Sequence, residues 1–230
     1  MDTLQEIKQA IVRLPRTQQH DLDVWIRDFV EAQHGVSEAR PEYAVEQRRR
    51  YVSVEEYLRL EETSAIRHEY IGGELFAMTG ATNRHNVICL NTAIALQGHL
   101  RGGPCRTYIE AVKVRLRAQG EEIFYYPDIA VACGPQDQKE VFLVDPKLIV
   151  EVLSPSTERT DRREKARNYR EIPTFEEYLL IAQDKPEVTL YRRSQDWAPQ
   201  VLTRSEVAVE LRSLPFTLPL DRIYEGVLWD

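Results

Sequence analysis

"LIVEVLSPST", residues 148–157, sets one acid, Glu151, among five apolar residues. In an extended chain Ile149, Glu151 and Leu153 share one face, and Leu148, Val150 and Val152 share the other. Apolar residues on both faces mark a central strand covered by helices. An ionised carboxylate without a partner in such a place costs several kcal/mol, or shifts its pKa until it is neutral. The fold class and the chemistry of the chain therefore both turn on what Glu151 meets.

Upstream, "YYPDIAVAC" (125–133) reads as a second strand, with Asp128 on the face of Ala130 and Ala132, small neighbours that leave room for a carboxylate. Strands paired about 4.8 Å apart would bring Asp128 and Glu151 side by side. Two carboxylates at that spacing repel, and the usual remedies are a shared proton or a divalent cation. Paired hard oxygens suit Mg²⁺ or Mn²⁺ better than zinc. The plainer alternatives are a structural ion pair for Glu151, with an arginine of the next helix, and a simple strand-opening role for Asp128.

Downstream, "RTDRREKARNYR" (159–170) predicts a basic helix from about Thr160 to Arg170. Asp161 and Glu164 resemble a capping box there, which puts Lys165 in the first turns, able to lean toward the end of the Glu151 strand. An ammonium so placed could hold a water or stabilise charge building on a phosphate. A solvated basic face is the ordinary alternative for such a run. Lys147 and Lys113 compete for the role, but Lys147 stands about 13 Å from Glu151 along the strand.

The remaining signals fill in an α/β chain with a mixed central sheet. "YVSVEEYLRLEE" (51–62) carries an S-x-x-E capping box at Ser53 and Glu56. "HEYIGGELFAMTGAT" (68–82) predicts a hairpin around Gly72-Gly73. A packed helix is expected from Asn83 to about Leu100, on the spacing of Val87, Leu90, Ile94 and Leu100. "AVKVRLRA" (111–118) alternates as the first of three strands, before the Asp128 and Glu151 strands. "EEYLLIAQ" (176–183) and "EVTLYRR" (187–193) follow the basic helix as a hairpin, and the tail "LPFTLPLDRIYEGV" (214–227) is only weakly patterned. Two apolar-periodic segments broken at Pro15 predict a helical hairpin over 1–34, then a polar linker over 35–50 and the main domain over 51–230.

"YPDIAV" (126–131) followed by "LIVEVLSPSTERTDRREKARNYREI" (148–172) resembles the Uma2 (DUF820) family of the PD-(D/E)xK nuclease superfamily. The resemblance covers roughly residues 51–185 and includes "EYIGGELFAMTGATNRHN" (69–86). It implies a restriction-endonuclease-like core of helix, three strands, helix and strand, and an endonuclease that cuts DNA with Mg²⁺ or Mn²⁺. Asp128 matches the acid of "PD" and Glu151 that of "(D/E)xK", so these two, with the backbone carbonyl of Val152, would ligate the metal. The superfamily lysine belongs two positions after Glu151, where this chain has Leu153; Lys165 matches the lysine that substitutes for it. Glu74 in "GGEL" and His85 in "NRHN" match further family positions near the site. The departure at Leu153 keeps a second class in view, a catalytically degenerate nuclease fold used for binding or regulation.

Charge and composition narrow the partners. A formal net charge of −7 over 230 residues does not fit a protein that coats nucleic acid through phosphate contacts alone, so DNA would need a local basic patch or metal ions. No apolar run approaches the roughly 20 residues of a membrane span, and the N-terminus lacks a signal-peptide pattern. The three cysteines form no CxxC pair. They are expected as small buried residues without a disulfide, in keeping with a cytoplasmic setting. A homodimer is expected if both strands of a duplex are cut. The N-terminal hairpin faintly resembles helices of small antitoxin-like proteins and could equally serve as a dimer arm.

Overall fold

The computed structural model describes residues 51–78, 80–135, 137, 139–203 and 207–229, with positions 7, 10, 11, 13, 14, 18 and 22 nearer the N-terminus. Apart from those positions, the helical hairpin expected over 1–34 and the linker over 35–50 lie outside the described residues. Packing divides the chain into two compact units, residues 1–78 with 118–123, and residues 79–117 with 124–230.

In the first unit, helix α1 (Val54–Thr63) starts on the expected capping box. Glu56 N donates to Ser53 Oγ at 3.2 Å, and Ser53 N donates to Glu56 Oε2 at 3.1 Å. Strands β1 (His68–Ile71) and β2 (Glu74–Ala77) pair antiparallel across Gly72-Gly73, whose φ values of +54° and +98° are the left-handed conformations such a tight turn requires. Tyr57 of α1 stacks on Tyr70 of β1 with ring centroids 5.0 Å apart.

The second unit is built on helix α2 (Asn83–Leu100) and a mixed sheet. Its strands are β3 (Cys105–Ile109), β6 (Ile129–Cys133), β8 (Pro146–Leu153), β9 (Glu177–Ala182), β10 (Val188–Arg192) and β11 (Gln200–Leu202). Sheet order is β11-β10-β9-β8-β6-β3, with β8 antiparallel to β6 and parallel to β9. Every residue of β8 except Lys147 is buried, as its two apolar faces predict. Strands β4 (Lys113–Ala118), β5 (Glu121–Tyr125) and β7 (Phe142–Leu143) lie outside this sheet, and β4 pairs in parallel with β7. The expected strand at "AVKVRLRA" therefore exists, but β3 stands beside β6 in its place. β3 escapes the eye because its five residues, CRTYI, show no clean alternation.

Strands β12 (Ala208–Leu211) and β13 (Phe216–Pro219) form a hairpin, and helix α4 (Leu220–Ile223) follows it. Val209, Leu211, Leu218 and Ile223 of this segment are fully buried, in one core with Val150 and Val152 of β8. The tail is thus structural, against its weak sequence pattern. Prolines at element edges hid short strands that tertiary packing stabilises.

Helix α2 turns inward a different stripe from the expected one: His85, Ile88, Cys89, Thr92, Leu96 and Leu100 are buried, while Leu90 and Ile94 are 53% and 61% exposed. Two polar members disguise the inward stripe. Thr92 is satisfied within the helix, donating to the Ile88 carbonyl at 2.8 Å, and His85 faces Asp128. The cysteines also differ from expectation. Cys105 and Cys133 are directly paired across β3 and β6 and joined in a disulfide, leaving Cys89 as a buried free thiol. A separation of 28 residues conceals a pairing that the strand register creates.

One buried polar hub locks β9, β10 and the β12–β13 hairpin together. Glu177 accepts from Arg192 Nε at 3.0 Å, from Arg212 N at 3.1 Å and from Ser213 N at 3.0 Å. Arg192 also donates to Gln195, Gln200 and the Glu210 carbonyl. Breaking such a pair leaves a buried charge unmatched, so Glu177→Ala should lower stability by about 3–5 kcal/mol in urea unfolding.

Candidate active site

The β6–β8 ladder ends at the pair Ile129↔Val150, so one step further along the register Asp128 lies opposite Glu151. The two acids also bind each other's strands. Asp128 N donates to Glu151 Oε2 at 3.2 Å, and Val152 N donates to Asp128 Oδ2 at 2.6 Å. Backbone amides thus fix each carboxylate, which places both by rigid strands rather than by mobile side-chain contacts. In antiparallel strands, residues directly opposite share a face, so the expected side-by-side placement holds.

Glu151 is 3% exposed and meets a cation from the next helix, as the ion-pair alternative required, though the partner is a lysine. Lys165 Nζ lies 3.2 Å from Glu151 Oε1, which also accepts from Tyr169 Oη at 3.3 Å. The ammonium stands 5.4 Å from the Tyr125 ring centroid. Lys165 arrives there through the helical segment 158–169 (α3). Its ends are α-helical, but Asp161–Lys165 is wound as a π-turn. Such turns bulge a helix and re-aim its side chains. Here the turn buries both Asp161 and Lys165.

Asp161 is therefore no helix cap, contrary to the capping box read from the sequence; Thr157 precedes the helix, which starts three residues earlier than Asp161. Its carboxylate faces inward, 3.4 Å from Lys165 Nζ. Burial raises the Asp161 carboxyl above its ordinary value, and Lys165 and Thr157 pull it only partly back. Asp161, Tyr169 and Tyr125 are the members of the cluster that sequence reasoning missed. The available signal was the i, i+4 spacing of Asp161 and Lys165, which suits an internal ion pair as well as a cap.

His85, in the first turn of α2, also joins the cluster. Its Nε2 lies 3.3 Å from Asp128 Oδ2 and its Nδ1 lies 3.5 Å from Cys89 Sγ. His85, Cys89 and Asp128 are close enough to hold a metal ion. The ring nitrogens meet different partners, however, and burial pushes the Cys89 thiol up, which disfavours the thiolate form. The trio is better described as a relay that orients His85 on Asp128. Glu110, in the turn after β3, adds negative charge that both His85 and Cys89 feel.

The other candidates separate. Leu153, at the superfamily lysine position, is buried and pairs with Ala182 on β9. Lys147 is engaged with Glu176 at 3.2 Å, and Lys113 is buried with its ammonium 5.2 Å from the Tyr126 ring centroid. Glu74 opens β2 in the first unit, whereas the cluster described above is built from the second. Arg159, Arg163 and Arg167 lie exposed along one stripe of 158–169, while Arg162 pairs with Glu158 and Arg170 packs on Trp197.

Burial alone would lower the His85 imidazole. The hydrogen bond and charge of Asp128 outweigh it, with help from the Val152 carbonyl and Glu110, and raise it above its ordinary value. The stabilisation from this contact is accordingly full below about pH 6.5 and lost as pH rises through the folded-state value. An NMR titration of His85 in chelator should give a midpoint above about 6.5, and Asp128→Asn should bring it below the wild-type midpoint.

The chain is similar to known proteins along most of its length. The Uma2 family profile, described as "Putative restriction endonuclease", matches residues 54–221. "Uncharacterized protein slr1290" of Synechocystis sp. is 35% identical over 178 residues, 76% of this chain and 93% of that protein. "Uncharacterized protein sll1609" of the same organism is 35% identical over 144 residues, 61% of this chain and 80% of that protein. A crystal structure from Anabaena variabilis, described as a "putative nuclease belonging to DUF820", superposes with a TM-score of 0.63 at 20% identity, covering 77% of this chain and 99% of that one. At that identity the likeness speaks for the fold, which is restriction-endonuclease-like. With a family match across most of its length and a relative at 35% identity, this chain belongs to the Uma2 family.

Proposed function

We propose that this protein is a Mg²⁺- or Mn²⁺-dependent endonuclease that hydrolyses phosphodiester bonds in DNA. The observation that carries the reading is the Asp128–Glu151 pair, set opposite one another by strand register, with Glu151 accepting from the Asp128 amide and Asp128 from the Val152 amide. The donor chemistry suits a hard divalent cation: two carboxylates and the Val152 carbonyl, which His85 also feels as an acceptor. Charge supports it too. Asp128, Glu151 and Asp161 outnumber the single ammonium of Lys165, even if His85 is protonated. Asp128, Glu151 and the Val152 carbonyl would hold the cation, which supplies Lewis-acid polarisation of a phosphoryl oxygen and a lowered pKa for water.

The protein's own groups have separable tasks. Lys165 stabilises negative charge that develops on the phosphate, and its contact with Glu151 supports the helix-borne lysine as the stand-in for the residue missing at Leu153. Tyr169 orients Glu151, and His85 orients Asp128. The exposed Arg159, Arg163 and Arg167 stripe offers the local basic patch that a chain of net charge −7 needs for a polyanion. Glu74 matches a family position by resemblance alone. A homodimer would supply the two sites that cleavage of both strands requires. Among the described residues no helix is long and apolar enough to cross a membrane. A cytoplasmic setting fits a DNA substrate, with the Cys105–Cys133 disulfide as the observation against it.

Nicking of supercoiled plasmid in Mn²⁺ tests this reading. The wild-type protein should nick, while Glu151→Gln and wild type in EDTA should fall to background. Equal nicking by wild type and Glu151→Gln, or nicking that survives EDTA, would contradict it. Binding without nicking would favour the degenerate-fold alternative.

A further inference from the structure

We infer that Asp161 is a second seat for the Lys165 ammonium, receiving it when Glu151 turns to a cation and so setting how tightly the site holds metal. The inference rests on the metal reading above and assigns a positioning residue to it. Lys165 Nζ stands between two buried carboxylates, 3.2 Å from Glu151 Oε1 and 3.4 Å from Asp161 Oδ1. With Glu151 the contact is a hydrogen bond. With Asp161 it is an ion pair that falls short of one, and Asp161 Oδ1 has no hydrogen-bond partner although the residue is 2% exposed. A buried carboxylate oxygen left in that state is costly and asks for a donor. The donor within reach is the ammonium already beside it.

The geometry of the helix makes the transfer short. The π-turn at Asp161–Lys165 puts both side chains on the buried side of one turn, and Tyr178 Oη donates to the Asp161 carbonyl at 3.2 Å, tying that turn to β9. A dication on Glu151 and an ammonium on the same carboxylate repel one another. Removing Asp161 would take a carboxylate from beside the displaced, buried ammonium, and a buried charge that loses a counter-charge costs far more than an exposed one. With Asp161 it keeps a partner, so the cost of metal binding falls.

The inference is tested by Mn²⁺ calorimetry on the full chain across wild type, Asp161→Asn, Lys165→Gln and the double variant, with Glu151→Gln as the control for the site. Asp161→Asn should weaken Mn²⁺ binding by roughly tenfold, the scale of one charge contact in a partly screened site. Lys165→Gln should bind at least as tightly as wild type. The double variant should return to the Lys165→Gln value, because Asp161 has no task once the ammonium is gone. A double variant as weak as Asp161→Asn would overturn the inference and make Asp161 a direct ligand. Unchanged binding by Asp161→Asn would overturn it as well. If Asp161→Asn does not fold, Asp161→Ser takes its place in the cycle with the same outcomes. Failure of the wild type to bind, or full binding by Glu151→Gln, would instead remove the metal reading, and this inference with it.

Discussion

A carboxylate buried inside a β-strand must be satisfied, and in this protein the satisfaction of Glu151 organises everything around it. One of its oxygens takes the Asp128 amide from the neighbouring strand; the other takes the Lys165 ammonium and the Tyr169 hydroxyl from the following helix. Those contacts need β6 and β8 in one register, and they need 158–169 to cross the end of β8 with its inner side facing the sheet. An ion pair of this kind contributes little net stability once desolvation is counted. Its value lies in position, since each group is held by strand or helix backbone.

The surrounding core makes that position rigid. Val150 and Val152 flank Glu151 on the opposite face and pack with Ile88, Leu96 and Leu100 of α2. The same helix carries His85 at its first turn, so the packing that covers the sheet also delivers the imidazole to Asp128. On the far side of β9, the Glu177–Arg192 hub holds the hairpins without touching the acid pair. Among the described residues, these two buried charge clusters differ in character. Glu177 has its oxygens saturated by hydrogen bonds, as a structural carboxylate should. Asp161 keeps a buried oxygen unsatisfied, a mark of a group with something left to bind.

Much of this is legible in the sequence. The period-2 pattern around Glu151 requires a two-sided buried strand, and the small residues beside Asp128 leave space for its partner. Ser53 with Glu56, and Gly72 with Gly73, are local signals whose physics is complete within a few residues, and both hold as read. What failed depends on distant partners. The inner stripe of α2 includes His85 and Thr92, whose burial makes sense only once Asp128 and the helix carbonyls are in place. Asp161 reads as a cap because D-x-x-E is a cap pattern in isolation, while its real surroundings come from a π-turn that no periodicity announces. The Cys105–Cys133 bond and the β12–β13 hairpin likewise arise from register and tertiary packing rather than local sequence.

In the function proposed above, Asp128 and Glu151 share a divalent cation rather than merely bracing two strands. Crystals grown with Mn²⁺ and measured at the manganese absorption edge test it directly. The account predicts an anomalous peak bounded by the Asp128 and Glu151 carboxylates and the Val152 carbonyl. Manganese found elsewhere, with Glu151 still closed on Lys165, would contradict it and leave the acid pair a structural clasp.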